Sequence, residues 1–212
     1  MSSGTAGEGS QTQMARRVLG VHDNEVPGPT LVCIGGMHGN EPAGVHALSR
    51  VLKLLGEPGT TMRGRFVALA GNLAALRVGQ RFIDRDLNRA WSQANVEALR
   101  GQPPAEDCAE DREQRELLKA LDQVRQEARG PVIFVDLHTS SAPGASFVCM
   151  SDTLANRRIA MTLPVPTILG LEECIDGAIM DYFNGHSMVA LAVEGGRDQD
   201  LPRPPRPPSS AH

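Results

Sequence analysis

The chain has 212 residues, a formal net charge of −4 at pH 7, and 41% hydrophobic against 22% charged residues, the balance of an ordinary globular protein with one sizeable core. A pI near 5.9 and an aromatic content of 3% argue against the basic, base-stacking surfaces of a nucleic-acid partner. No stretch approaches the roughly 18 consecutive apolar residues of a membrane span, and "MSSGTAGEGSQTQMARR" carries no apolar leader core, so neither a membrane nor secretion is expected.

Residues 1–13, rich in Gly, Ser, Thr and Gln, read as disordered. "TLVCIGG" reads as a buried strand. It is followed by a helix over "EPAGVHALSRVLKLL", where Gly44, Leu48, Val51 and Leu55 recur at helical spacing and Pro42 sits in the first turn. "GRFVALAG" is the next strand. "NLAALRVGQRFIDRDLNRAW" fits neither period, and a loop of that length inside a domain is usually functional. "EDREQRELLKALDQVRQEARG" predicts an amphipathic helix with Leu117, Leu121, Val124 and Ala128 on one face, its charges forming a solvated surface, ended by Gly130-Pro131. "VIFVDLH", "ASFVCM", "VPTIL" and "MVALAVE" read as further strands, with "LANRRIAMTL" helical between two of them. Wholly apolar strands alternating with helices indicate an α/β protein with a sheet covered on both faces. Cys33, Cys108, Cys149 and Cys174 form no CxxC pair; free thiols in a reducing, cytoplasmic setting are expected.

In α/β sheets ligands bind beyond the carboxyl ends of strands, and three strands deliver chemistry there. The first is followed by His38 and Glu41, another carries Asp136 and His138, and the last ends at Glu194. Two histidines and a carboxylate are the ligand set of a catalytic zinc site with an open fourth position. His38 and Glu41, at i and i+3 of a helix start, can face one point, and Gly35-Gly36 allows the sharp turn before them. Asp136 shares a strand face with His138 and is placed to orient it. Asn40 braces the loop. Taken singly, an HxxE pair or a histidine after a strand is a common surface feature; the ordered combination is what points to a site. His22, His46, His186 and His212 lie outside any such pattern. In "RFIDRDLNR", Phe82, Ile83 and Leu87 are expected anchors. Asn88 with Arg89 offers an amide and a guanidinium fork for a substrate carboxylate, and Arg81 is positioned to stabilise an oxyanion.

Together "GGMHGNEPAG", "DRDLNR", "DLHTS" and "AVEGG" resemble the succinylglutamate desuccinylase/aspartoacylase family, itself related to the zinc carboxypeptidases, from about Val18 to Asp200. "ILGLEECIDGAIMDYF" is also similar to the family's sequence. The resemblance implies one Zn2+ per chain held by His38, Glu41 and His138, a glutamate base at Glu194, and substrate contacts from Arg81, Asn88 and Arg89. It implies a carboxypeptidase-like three-layer α/β domain with a mixed central sheet, spanning 14–200.

The expected activity is hydrolysis of the amide of a small-molecule N-acyl amino acid, of succinyl or acetyl type. Glu194 would take the proton of the attacking water and pass it to the leaving amine. Two alternatives remain open: a zinc carboxypeptidase acting on peptides, and a truncated zinc-binding protein with little or no turnover. The family's C-terminal β-rich domain is not visible in this sequence; 201–212, "LPRPPRPPSSAH", read as a disordered tail. An open cleft and an exposed apolar patch beside Glu194 are therefore expected, in a chain that is marginally stable or forms a homo-oligomer.

Overall fold

The computed structural model describes residues 16–140, 144–171, 175–186 and 188–197. The expected disordered termini, Cys174 and His212 lie outside them. Among the described residues, seven strands form one sheet. They are β1 (Val18–Asp23), β2 (Thr30–Gly35), β3 (Arg65–Ala70), β4 (Val132–Ser140), β5 (Phe147–Met150), β6 (Thr167–Leu169) and β7 (Val189–Arg197), in the spatial order β1-β3-β2-β4-β7-β5-β6. The central run β3-β2-β4-β7 is parallel, whereas β1 pairs antiparallel with β3 and β5 pairs antiparallel with β7. The sheet is therefore mixed, as expected.

Alternation along the strands builds two cores. Val32, Ile34, Val67, Leu69, Phe134, Ala190 and Ala192 face one side, where they meet α3 (Gln93–Gly101), α4 (Ala109–Glu127) and α6 (Ile179–Gly185). Phe134 stacks on Phe183 at a ring separation of 3.9 Å. Cys33, Phe66 and Ala68 face the other side, against α1 (Ala43–Leu55). Val148, Met150, Leu191 and Val193 meet α5 (Leu154–Ala160) on that same side of the sheet. Helices on both faces of a buried sheet make the three-layer arrangement, and no helix of the described residues is long and apolar enough to cross a membrane.

Four local readings differ from the sequence expectation. Residues Leu73–Val78 form a short helix, α2, capped by Asn72, whose side chain accepts from the Ala75 N–H at 3.0 Å; its six residues are too few to show a period. On α1 the expected Gly44 and Leu48 are buried and Leu55 packs on the core, but Val51 is 38% exposed, its place on the sheet-facing side taken by the buried Val45 and the partly buried Leu52. Of the loop anchors only Leu87 is fully buried, while Phe82 and Ile83 are exposed. The start of α4 is not a solvated surface: Glu110, Asp111 and Glu113 are buried, each with hydrogen-bond partners. Cys33 and Cys108 are free thiols, and burial pushes the Cys33 thiol up to about 12, which leaves it inert.

Candidate functional site

The parallel strands β2, β4 and β7 lie side by side and end at one edge, which brings the residues at and just beyond their carboxyl ends together. After β2 the chain turns through Gly36 in the left-handed region (φ 75°), carries His38 and Glu41, and enters α1 behind Pro42. A Cβ built on Gly35 would lie 2.6 Å from the Gly44 carbonyl carbon, so α1 can pack this closely on β2 only because Gly35 has no side chain. Asp136 and His138 stand two apart within β4, and His138 is level with Glu194 of β7. Both strands run on beyond the expected ends, to Ser140 and Arg197, so His138 and Glu194 lie within strands.

Three of these residues converge. His38, Glu41 and His138 offer ligand atoms that all lie within 4.8 Å of one another. His38 Nδ1 is 3.0 Å from Glu41 Oε1, and His138 Nδ1 is 3.2 Å from Glu41 Oε2. Each ring is backed on its other nitrogen by an aspartate: Asp86 Oδ1 lies 3.2 Å from His38 Nε2, and Asp136 Oδ2 lies 2.7 Å from His138 Nε2. The Thr139 N–H donates to Glu41 Oε2 at 3.0 Å. A buried set of two imidazoles and a carboxylate, with carboxylates behind both rings, fits a zinc-type cation by its donor chemistry.

The electrostatics follow from burial and neighbours. Burial alone would raise Glu41, but hydrogen bonds to His138 and His38 hold it well below the usual carboxylate range. Burial works against a charged His138, yet Asp136 and Glu41 carry it well above the ordinary imidazole value; Asp86 and Glu41 raise His38 in the same way. Glu194 moves upward because burial disfavours its charge and Glu41 and Asp136 repel it, with His138 opposing. A carboxylate raised toward neutrality suits a proton acceptor.

The cleft over these residues has a volume of about 310 Å³ and is reached by Arg81, Asn88, Arg89 and Glu194. Arg81 is half-exposed and paired with Asp86 at 3.2 Å and Glu41 at 3.5 Å. Asn88 is buried; its Oδ1 accepts from the Ile179 N–H at 2.9 Å, and its Nδ2 lies 3.4 Å from His138 Nε2. Arg89 donates to the Asn88 carbonyl at 2.7 Å. Phe147, Cys149, Ala178, Met180 and Ala192 supply an apolar wall. All eight residues singled out in the sequence therefore border one cleft. Sequence reasoning missed Asp86 as the support of His38. The residue stood in the noticed loop, but nothing local aims it at a ring 48 positions earlier.

The catalytic-domain model of the succinylglutamate desuccinylase/aspartoacylase family matches residues 27–163. The succinylglutamate desuccinylase of Pseudomonas putida (strain KT2440) is 38% identical over 78 residues, covering 34% of this chain and 23% of that protein. That of Pseudomonas paraeruginosa is 34% identical over 79 residues, covering 37% and 23%. The succinylglutamate desuccinylase of Chromobacterium violaceum superposes with a TM-score of 0.66 at 18% identity, over 86% of this chain and 58% of that one. Murine aminoacylase 3 gives 0.56 at 23% identity, over 84% and 57%. The match thus spans about a quarter of the curated relatives' length and rather more than half of the solved chains. Sharing both the catalytic-domain sequence pattern and the three-layer architecture, the chain belongs to the succinylglutamate desuccinylase/aspartoacylase family.

Proposed function

We propose that the cleft is the centre of a zinc-dependent hydrolase that cleaves the amide bond of an N-acyl amino acid. The observation that carries this reading is the convergence of His38, Glu41 and His138 within 4.8 Å beside Glu194, in a cleft that also receives two arginines. His38, Glu41 and His138 would hold the Zn2+, which when bound supplies a Lewis acid for the acyl carbonyl and lowers the pKa of water.

The chain's own groups do the rest. Asp136 and Asp86 keep their imidazoles turned so that Nδ1 faces Glu41. Glu194, its affinity for a proton raised by burial, takes a proton from the attacking water and delivers it to the leaving amide nitrogen, so carboxylic acid and amine leave with the proton count balanced. Arg81 faces the oxygen on which negative charge develops. Arg89 and the Asn88 amide hold the substrate carboxylate, and the apolar wall takes the aliphatic part of the acyl or amino-acid moiety.

The test is Glu194→Gln, which keeps shape and removes the base. Turnover of N-succinyl-L-glutamate or N-acetyl-L-aspartate by the zinc-loaded chain is expected to fall by roughly 10²–10⁴ with zinc content unchanged. Turnover equal to the parent would move the base to another residue.

A further inference from the structure

Glu110, in the first turn of α4, has no solvent-exposed surface. Its Oε1 accepts from Asn72 Nδ2 at 2.9 Å and from the Ile83 N–H at 2.8 Å. Its Oε2 accepts from the Asp84 N–H at 2.9 Å and the Arg85 N–H at 3.2 Å. Three consecutive backbone N–H groups of a loop thus point at one carboxylate, the geometry of an anion nest filled by the protein itself. The junction is reciprocal: Asp84 Oδ2 accepts from the Ala109 N–H at 2.8 Å, and Arg85 pairs with Asp111. Asp84, Cys108 and Glu110 could in principle gather a metal, but the roughly four acceptor positions of a carboxylate are all taken on Glu110, so this cluster is a fastening.

What it fastens is the segment that serves the cleft. Two residues before the nest's first donor stands Arg81, whose carbonyl accepts from the Gly39 N–H at 3.2 Å; immediately after the nest stand Asp86, behind His38, and then Asn88 and Arg89. The fourth donor, Asn72, is tied to the metal-side turn through its own N–H, which donates to the Gly36 carbonyl at 2.8 Å. One buried carboxylate therefore holds the arginine loop and the cap beside the His38 turn in a single register. Apolar anchoring of this loop comes from Leu87 near its far end; at the nest itself Phe82 and Ile83 are exposed.

We propose that Glu110 is a positioning residue that sets the 81–89 loop, and through it Arg81, Asn88 and Arg89, for substrate binding. Its effect on substrate rests on the functional reading above; its effect on the loop does not. Burial by itself would raise the Glu110 carboxyl, yet the hydrogen bonds from Ile83, Asn72, Asp84 and Arg85 hold it below its ordinary value, as a nest for an anion requires. A glutamine of the same shape offers one acceptor oxygen and turns an NH2 toward N–H groups.

The experiment compares Glu110→Gln with Glu113→Gln in the full chain. Glu113, one turn later on α4, accepts from the Leu73 and Ala74 N–H groups at 3.0 Å and pairs with Arg17, and among the described residues it has no hydrogen bond to the 81–89 loop. Glu110→Gln is expected to speed amide exchange at Ile83, Asp84 and Arg85 by at least about tenfold and to hasten tryptic cleavage after Arg81 and Arg85. In the zinc-loaded chain KM for N-succinyl-L-glutamate or N-acetyl-L-aspartate is expected to rise about tenfold or more, with a smaller change in kcat. Glu113→Gln should leave all three readouts at parent values even if it melts earlier. Asp84→Ala, at an exposed position, should shift them in the same direction by less, and it keeps the test open should Glu110→Gln not fold. Parental exchange in Glu110→Gln, or in Asp84→Ala if that is the variant that folds, overturns the proposal, as does an equal rise in KM in Glu113→Gln. If the parent chain turns over neither compound while the variant's loop exchanges faster, the fastening stands and it is the substrate assignment that has failed.

Discussion

Asp86 does at one histidine what Asp136 does at the other. Its carboxylate is held far below its usual range: burial works upward, but His38, the Asn88 N–H and Arg81 outweigh it. It therefore stays an acceptor, and an acceptor is what fixes the His38 ring with Nδ1 toward Glu41. Replacing Asp86 by Asn removes the charge and offers an NH2 in place of one oxygen. Zinc affinity, measured by titration against a competing chelator, is expected to fall about 10–100-fold, as it does when outer partners of metal ligands are lost. Parental affinity in this variant would mean that His38 is oriented by its own backbone and Glu41 alone. The histidines, Glu41, Asp136 and Glu194 were all legible in the sequence, since each lies at or just beyond the end of an apolar run. Asp86 was legible only as one charge among several in an irregular loop.

Elements bring these residues into reach because α1 lies directly on β2. The contact between Gly35 and Gly44 sets that distance, and a Cβ on Gly35 would meet the Val45 nitrogen at 2.7 Å. Backbone, unlike a side chain, cannot swing aside, so Gly35→Ala must push the start of α1 away from the sheet and Glu41 away from His138. The expected cost is about 1–3 kcal/mol of stability, read as a lower Tm of the metal-free chain, together with weaker zinc binding. A variant that melts and binds like the parent would show that α1 tolerates displacement. Sequence periodicity located α1 and α4 well, but it misjudged the first turn of α4. Amphipathic patterns assign charges to solvent by default; Glu110 and Glu113 are instead buried against the N–H groups of Ile83, Asp84, Arg85, Leu73 and Ala74, whose partners no local pattern names.

Across the whole molecule, the carboxylates at the start of α4 join one helical layer to the loop that serves the cleft. Glu110 and Asp111 both have folded-state pKa values lowered by hydrogen bonds that outweigh burial, and Asp107 is lowered by Arg115. A lowered folded value contributes stability that is present above the unfolded value, near 4.5 for Glu110, and is lost as pH falls through the folded one. The α4–loop junction is therefore expected to loosen below about pH 4.5 and to be insensitive to these groups between neutral and mildly alkaline pH. Trp91, the single tryptophan, is fully buried in the same layer with its ring 5.9 Å from Tyr182. Its emission should shift to the red in that acid range and return on neutralisation, and a spectrum unchanged down to pH 3 would count against the carboxylates as the fastening. The α/β class, the strand ends that border the cleft and the candidate metal ligands came from the sequence by itself, because burial periodicity and donor chemistry are properties of short stretches. The strand order, the aspartate behind His38 and the nest around Glu110 were decided only by the tertiary structure, because each depends on residues tens of positions apart meeting in one buried place, where an unpaired charge would be too costly to keep.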